Sequence, residues 1–231
     1  MKSDNQESLS ITDRTHWVFD LDGTLVDSLE DLTEAVNHIR NAYSHPPLTA
    51  DAVRLKVGKG ARNLVEQVLP DVADAEIDRA LGMFLEFNKQ HIADKSRLYP
   101  GIREMLKGLA ANDIKMAVIS NKDEDLSTLI LQTLGIHDLF ESICGGNTYP
   151  ESKPSPLPLL NEVEKLGVAP HECVMVGDSI NDIQAGQQAN IISIGCTWGY
   201  GRTEELAGAN AFASSPQELL AVITASFGTR L

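Results

Sequence analysis

Short, nearly unbroken apolar runs recur along this chain. Between them lie longer stretches in which apolar residues return every three or four positions. The runs are "HWVFD" (16–20), "KMAVIS" (115–120), "SICGG" (142–146), "CVMVGD" (173–178) and "IISIG" (191–195). A strand covered on both faces needs continuous apolar character, so these five segments predict a buried parallel sheet. The periodic stretches predict helices near 101–111, 125–134, 157–167 and 180–189, and a last one in "QELLAVITASF" after Pro216. Gly135 and Gly167 follow two of these helices, where a left-handed cap favours glycine. Alternation of strand and helix with parallel strands predicts an α/β fold, a doubly wound parallel sheet.

One interval breaks the rhythm. Between Leu29 and Lys95 the pattern is helical throughout, with segments at 29–43, 50–56, 61–69 and 74–93. Ser28 with Asp31 resembles a capping box opening the first of them. "YSHPPLT" (43–49) breaks the pattern, and Thr49 is placed to cap the next helix. The chain therefore divides into a Rossmann-like core, 1–26 and 98–231, and a helical insertion, 27–97, whose exits near Asp27 and "RLYPG" (97–101) form paired hinges. The N-terminal "MKSDNQESLSITDR" is polar, has no apolar signal core and reads as a flexible lead-in. No segment approaches the roughly 18 apolar residues of a membrane span.

Charge narrows the function. The 231 residues include 33 acidic and 19 basic ones, for a net charge of −14. Nucleic-acid and anionic-membrane binding need a basic footprint, so neither is expected. An anionic substrate would have to be attracted locally, by a metal ion and a few placed lysines or arginines. Cys144, Cys173 and Cys196 are odd in number and have no Cys-x-x-Cys spacing, which fits small buried thiols in a reducing, cytoplasmic setting.

The candidate chemistry lies at the strand ends. In open α/β sheets ligands sit beyond the carboxyl ends of the strands, where strand order reverses. The first strand ends in Asp20, with Asp22 just beyond; the next ends in Ser120 and Asn121; another ends in Asp178, with Asp182 one helical turn on. Each has an ordinary reading taken singly: Asp-Gly favours a turn, Ser120 and Asn121 can cap a helix, Asp178 and Asp182 suit a helix N-terminus, and Lys153 could be a solvated loop lysine. Together, at matching strand ends, they suggest a site. Buried carboxylates side by side disfavour each other's ionised form, so a hard cation with oxygen ligands, Mg²⁺, is expected among them. Asp20 and Asp178 can share it only if their strands are neighbours, which predicts that adjacency. The six histidines show no zinc spacing. Two adjacent carboxylates also allow two roles, one ionised and attacking, the other donating a proton. An aspartate nucleophile suits an electrophilic phosphorus.

"DLDGTLVDS", "ISNK", the lysine of "KPSP" and "VGDSINDI" resemble, in order and spacing, the four motifs of the haloacid dehalogenase superfamily. Two aspartates in the first motif mark its phosphatase-like branch. The resemblance implies that Asp20 is nucleophile and metal ligand, and that Asp22 is general acid and base and lends its backbone carbonyl to the metal. Thr24 would place Asp22. Ser120, with Asn121, would bind phosphoryl oxygens, and Lys153 would neutralise nucleophile and phosphate together. Asp178 would complete the metal site, supported by Asp182, while Gly23 and Gly177 let backbone approach phosphate or metal. The helical insertion resembles the family's cap domain, and "KVGKGARNL" (56–64) its substrate-specificity loop, with Lys56, Lys59 and Arg62 available to a second anionic group.

Within the superfamily "VGKGA" and "SIGCTWGYG" resemble the phosphoglycolate phosphatase group, although Asn147 stands where aspartate is more usual. The implied partner is a small phosphorylated metabolite, bound by a monomer or homodimer. Related capped enzymes act on sugar phosphates, nucleotides or pyrophosphate, or transfer the phosphoryl group as β-phosphoglucomutase does. A receiver domain, a phospho-aspartate switch, shares some of these residues but is about half the length, lacks the insertion and has no need of Asp22. A dinucleotide-binding module fits less well still, because "GKGARN" departs from Gly-x-Gly-x-x-Gly and follows no strand.

Overall fold

The computed structural model describes residues 14–227, with side chains described as far as residue 221. The expected lead-in lies outside the described residues except for Arg14. That residue is buried and donates to the backbone carbonyl of Cys173 at 3.0 Å, so it belongs to the folded body.

Six parallel strands form the sheet: β1 (His16–Phe19), β4 (Lys115–Ile119), β5 (Ser142–Cys144), β6 (Cys173–Gly177), β7 (Ile192–Cys196) and β8 (Ala211–Ala213). Their order is β5-β4-β1-β6-β7-β8. The five expected strands are present. β8 went unread, because "AFA" is too short and too mixed to stand out. The apolar runs are continuous because helices cover both faces. Trp17, Phe19, Val174 and Val176 pack into one cluster, and Val18, Ala117 and Met175 into another on the opposite face. The chain runs from β1 to one side of the sheet and later to the other, so β1 has β4 and β6 as neighbours. This is the point where strand order reverses, and a crevice opens there beyond the strand ends. The adjacency of the strands bearing Asp20 and Asp178 is therefore observed.

The core helices are α5 (Ile102–Ala111), α6 (Glu124–Thr133), α7 (Leu157–Leu166), α8 (Ile180–Gln188) and α9 (Pro216–Phe227). Gly135 and Gly167 adopt φ of +66° and +70° just past α6 and α7, the left-handed conformation expected of them. The insertion contributes α1 (Leu29–Ala42), α2 (Ala50–Arg54), α3 (Gly60–Val68) and α4 (Asp74–Gln90). These bury their own cluster, which includes Val36, Ile39, Val65 and Phe84. Where the chain leaves and rejoins the core, β2 (Val26–Asp27) and β3 (Arg97–Leu98) pair as a two-stranded antiparallel ribbon. Thr49 caps α2, accepting the Ala52 N–H at 3.3 Å.

The capping box expected at α1 is absent. Ser28 gives its hydroxyl to Asp22, and buried Asp31 accepts the N–H groups of Lys95 and Ser96. The first turn of α1 is thus fastened to the returning strand. The three cysteines are buried and unpaired, and burial pushes the thiols of Cys144 and Cys173 up to about 11 and about 12. No helix among the described residues is long and apolar enough to cross a membrane.

Candidate active site

Sheet register brings the acidic residues together. His16 to Phe19 of β1 pair in step with Cys173 to Val176 of β6, so Asp20 and Asp178 emerge from adjacent strand ends. Carboxylate oxygens of Asp20, Asp178 and Asp182 lie within 4.8 Å of one another. Among the described residues, the buried counter-charge paired with this group is Lys153, delivered by the loop between β5 and α7. Its Nζ lies 2.8 Å from Asp20 Oδ1 and 2.6 Å from Asp182 Oδ1. Burial raises the Asp20 carboxyl; Lys153 opposes this, but Asp182 and Asp178 add to it, and the result is about 8. Asp178 is raised to about 6, by burial first and Asp182 second, with hydrogen bonds from Thr24, Tyr200 and Gly201 working against the rise. Burial alone would lower Lys153, but the two carboxylates outweigh it and raise it.

Two glycines allow this crowding. Gly23 has φ of +91°, and a Cβ there would sit 2.4 Å from Asp178 Oδ2. A Cβ at Gly177 would lie 2.3 Å from the Asp182 carboxyl carbon. Their backbone approaches these carboxylates, where the resemblance had implied phosphate or metal.

The remaining oxygens are fixed by hydrogen bonds. Asp182 Oδ2 accepts from the Ser179 N–H at 3.0 Å and its hydroxyl at 2.7 Å, a bond pattern local to the start of α8. Asp182 is thereby a buried anchor for Lys153. Thr24 donates to Asp178 Oδ1 at 2.8 Å, so it places Asp178 and not Asp22. Asp22 is held by two other groups: the Ser28 hydroxyl at 2.5 Å from Oδ1 and the Lys122 ammonium at 3.3 Å from Oδ2. Lys122 has its side chain 6 % exposed. It stands within "ISNK", and no role was expected of it, although a lysine just past a strand end bearing Ser120 was signal enough. Ser120 is buried and accepts the Lys122 N–H at 3.2 Å. Asn121 donates its amide to the carbonyls of Lys153, at 2.7 Å, and of Gly58, at 2.8 Å. Asn147 accepts the Glu124 N–H at 2.9 Å, a task an aspartate would perform equally.

The cap is seated on the core. Gly58 accepts from Asn121 and also from Asn181, at 3.1 Å. Arg54 donates to the carbonyls of Gly199 and Tyr200, each at 2.9 Å. Tyr200 returns to the hinge: its hydroxyl receives the Ser28 N–H at 2.6 Å and lies 3.1 Å from Asp27 Oδ1. Neither Arg54 nor Tyr200 was singled out from sequence, since their partners are about 150 residues away in the chain.

Two spaces result. A small pocket of about 60 Å³ is lined by Asp20, Asp22, Ser120, Lys153 and mostly apolar residues of the insertion. An outer cleft of about 410 Å³ shares Asp20 and Asp22 and carries Lys56, Lys59, Arg54 and Arg202. Arg62 lines neither space. It is exposed and pairs with Asp78 and Glu66, because its position on α3 directs it along the cap surface. The specificity role expected of it is not supported by this placement.

An oxygen-only donor set of carboxylates suits a hard divalent cation and offers no imidazole or thiolate for a softer one. Asp20 and Asp178 carry oxygens that could hold such an ion.

A parallel sheet bearing this carboxylate–lysine cluster at its reversal point, beneath a helical cap, defines a phosphatase. The chain belongs to the haloacid dehalogenase-like hydrolases, whose family model matches residues 17–196. It is 40% identical over 206 residues to the phosphoglycolate phosphatase of Chromobacterium violaceum, covering 87% of this chain and 92% of that one. With the phosphoglycolate phosphatase of Colwellia psychrerythraea it shares 41% identity over 196 residues, 82% of this chain and 87% of that one. Among solved structures, a predicted phosphoglycolate phosphatase from Haemophilus somnus matches with a TM-score of 0.85 and 29% identity, covering 94% of this chain and all of that one (100%). CbbY from Rhodobacter sphaeroides, solved with phosphate, matches with a TM-score of 0.79 and 25% identity over 89% of this chain and 96% of that one.

Proposed function

We propose that this phosphatase is a Mg²⁺-dependent phosphomonoesterase that works through an aspartyl-phosphate on Asp20, and that its substrate is 2-phosphoglycolate, released as glycolate and phosphate. The observation that carries the chemistry is Lys153 held between Asp20 and Asp182, a buried ammonium that places positive charge beside the oxygen proposed to attack. Asp20 attacks phosphorus; the ester P–O bond breaks, and Asp22 gives its proton to the departing alkoxide. Water then attacks the aspartyl-phosphate. Asp22 takes the proton from that water, the bond from phosphorus to Asp20 breaks, and phosphate leaves. Ser120 and Lys153 hold the phosphoryl oxygens during both transfers. Bound Mg²⁺ would supply charge neutralisation between the carboxylates and the phosphoryl group.

Two features favour a small acid as the remainder of the substrate. The small pocket of about 60 Å³ beside Asp20 and Lys153 suits a compact organic group such as a two-carbon acid. The outer cleft sets Arg54, Lys56, Lys59 and Arg202 among the carboxylates of Asp20, Asp22, Asp178 and Glu205, which gives an acidic protein local cations for an anionic group. The insertion, residues 27–97, is proposed to act as one cap that shuts out water during the transfers, in a monomer or homodimer.

The test is phosphate release from a panel of esters with Mg²⁺ and with chelator, together with trapping of acid-stable phosphate label on the protein. Release from 2-phosphoglycolate that vanishes with chelator, and label lost in the Asp20→Asn protein, are expected. Isomerisation of a sugar phosphate without release of phosphate would instead establish a mutase.

A further inference from the structure

The cap presents a nearly apolar wall to the small pocket beside Asp20 and Lys153. Of the cap residues that line it, Asn88 alone has a polar side chain; the others are glycine or apolar, among them Leu32, Leu64 and Phe84. Asn88 lies on α4, one helical turn beyond Phe84, so the two share a face. It is 2 % exposed, and its Oδ1 is buried without a hydrogen-bond partner. Leaving a buried amide unpaired is costly, and an unpaired buried polar group in a folded protein calls for an explanation. The rest of the cap core is packed with Ile39, Val65 and Phe84, and a leucine would satisfy such a position better than asparagine if packing were its purpose.

We infer that Asn88 is the cap's substrate-contacting specificity residue, and that it hydrogen-bonds a polar group on the organic part of the substrate, in the same pocket as the Asp20 and Lys153 that receive the phosphoryl group. This rests on the phosphatase reading above and deepens it. An amide is neutral, with two donors and one acceptor, and a half-turn about its last side-chain bond exchanges them. Its Nδ2 can donate to a carboxylate, and its Oδ1 can accept from a hydroxyl. A two-carbon phosphate ester with a terminal carboxylate or hydroxyl satisfies it. An ethyl tail leaves it unpaired and is discriminated against, since a site built around a hydrogen bond rejects analogues that lack the partner. The cationic selection of a second anion that the sequence suggested for Arg62 then passes to an uncharged group inside the pocket, with Lys56 and Lys59 in the outer cleft.

The experiment compares kcat/KM for three esters, carboxymethyl phosphate (2-phosphoglycolate), 2-hydroxyethyl phosphate and ethyl phosphate, in the wild type, Asn88→Leu and Asn88→Asp, with melting temperatures to confirm folding. The wild type is expected to prefer the carboxymethyl over the ethyl ester by at least about 10-fold, and Asn88→Leu to shrink that ratio to within about 3-fold. Asn88→Asp keeps the shape but repels a carboxylate, so the hydroxyethyl ester should overtake the carboxymethyl one, a reversal that mere loosening of the cap would not produce. A carboxymethyl-to-ethyl ratio unchanged in Asn88→Leu, or equal proportional losses on all three esters in both variants, would overturn the assignment. If the wild type hydrolyses the other esters but not 2-phosphoglycolate, the substrate reading fails, and Asn88 is judged on the hydroxyethyl-to-ethyl ratio.

Discussion

Thr24 donates its hydroxyl proton to Asp178 across 2.8 Å, joining the loop after β1 to the end of β6. Asp178 also accepts the backbone N–H groups of Tyr200 and Gly201, at 2.7 and 3.3 Å. Three donors thus aim one carboxylate, and partners of this kind typically govern metal affinity by 10- to 100-fold. Thr24→Val, which keeps the shape and removes the donor, should raise the Mg²⁺ concentration for half-maximal activity about 10-fold, with saturating activity much less affected. A Mg²⁺ titration of the rate checks this. An unchanged midpoint with reduced maximal rate would return Thr24 to the role of orienting the proton-transferring Asp22.

Asp20→Asn should remove turnover by on the order of 10⁴-fold or more, because an amide cannot serve as the attacking oxygen. The fold should survive, since Lys153 keeps Asp182 as its partner at 2.6 Å. Circular dichroism with a thermal scan measures the second point and single-turnover phosphate release the first. Substantial turnover in a folded variant would mean that another group attacks phosphorus.

Arg62→Ala should leave KM for 2-phosphoglycolate within about 2-fold of the wild type and cost little stability, since solvent screens exposed ion pairs such as those with Asp78 and Glu66. Steady-state kinetics on 2-phosphoglycolate and on p-nitrophenyl phosphate would reveal any selective loss on the first, which would bring Arg62 back into the site.

These three residues also mark how far the sequence could be read. Asp20 and Asp178 were legible because continuous apolar strands fix where a strand ends, and the rule that ligands gather at strand ends did the rest. The neighbouring positions of β1 and β6 followed from chemistry alone, since the two carboxylates needed to share a site. Thr24 and Arg62 were placed on the correct elements but given the wrong partners. Which way a side chain points depends on a turn with positive φ at Gly23, or on a helix's rotation, and neither is written in residue spacing. Ser28 fitted a local capping rule, yet a tertiary partner, Asp22, claimed its hydroxyl. Arg54, Tyr200 and Asn88 carried no local signal at all, because their significance lies wholly in what the cap meets when it rests on the core.

Arg54 and Tyr200 form the contact through which cap position can reach Asp178, the carboxylate proposed to bind the metal. Arg54 grips the carbonyls of Gly199 and Tyr200 from the cap, while the N–H groups of Tyr200 and Gly201 hold Asp178. Arg54→Met keeps much of the apolar stem and removes the donors. It should lower kcat by about 10-fold or more and speed hydrogen exchange at residues 199–201, as expected when a lid contact that completes the site is lost. Exchange unchanged in that segment, with kcat intact, would show that the cap seats without Arg54.

The raised carboxyls give a pH dependence with a definite sign. Asp20 and Asp178 are pushed up, by burial first and neighbouring carboxylates next, to about 8 and about 6 from an ordinary value near 3.8. Between that ordinary value and the raised ones, the folded metal-free protein holds protons that the unfolded chain has released. These groups therefore favour the folded state at the acid end of the window, and that contribution is lost as pH rises towards 8. Binding of a divalent cation requires the same carboxylates ionised, so its affinity climbs over the same range. The gain in melting temperature from Mg²⁺ over chelator should thus be small near pH 5 and increase steadily to pH 8. In Asp20→Asn only Asp178 continues to titrate, and the smaller gain should level off by about pH 7, one unit above its raised value. Thermal scans at matched ionic strength in buffers across this range make the measurement. A Mg²⁺ gain that is flat with pH in the wild type would mean that these two carboxyls do not bind the ion.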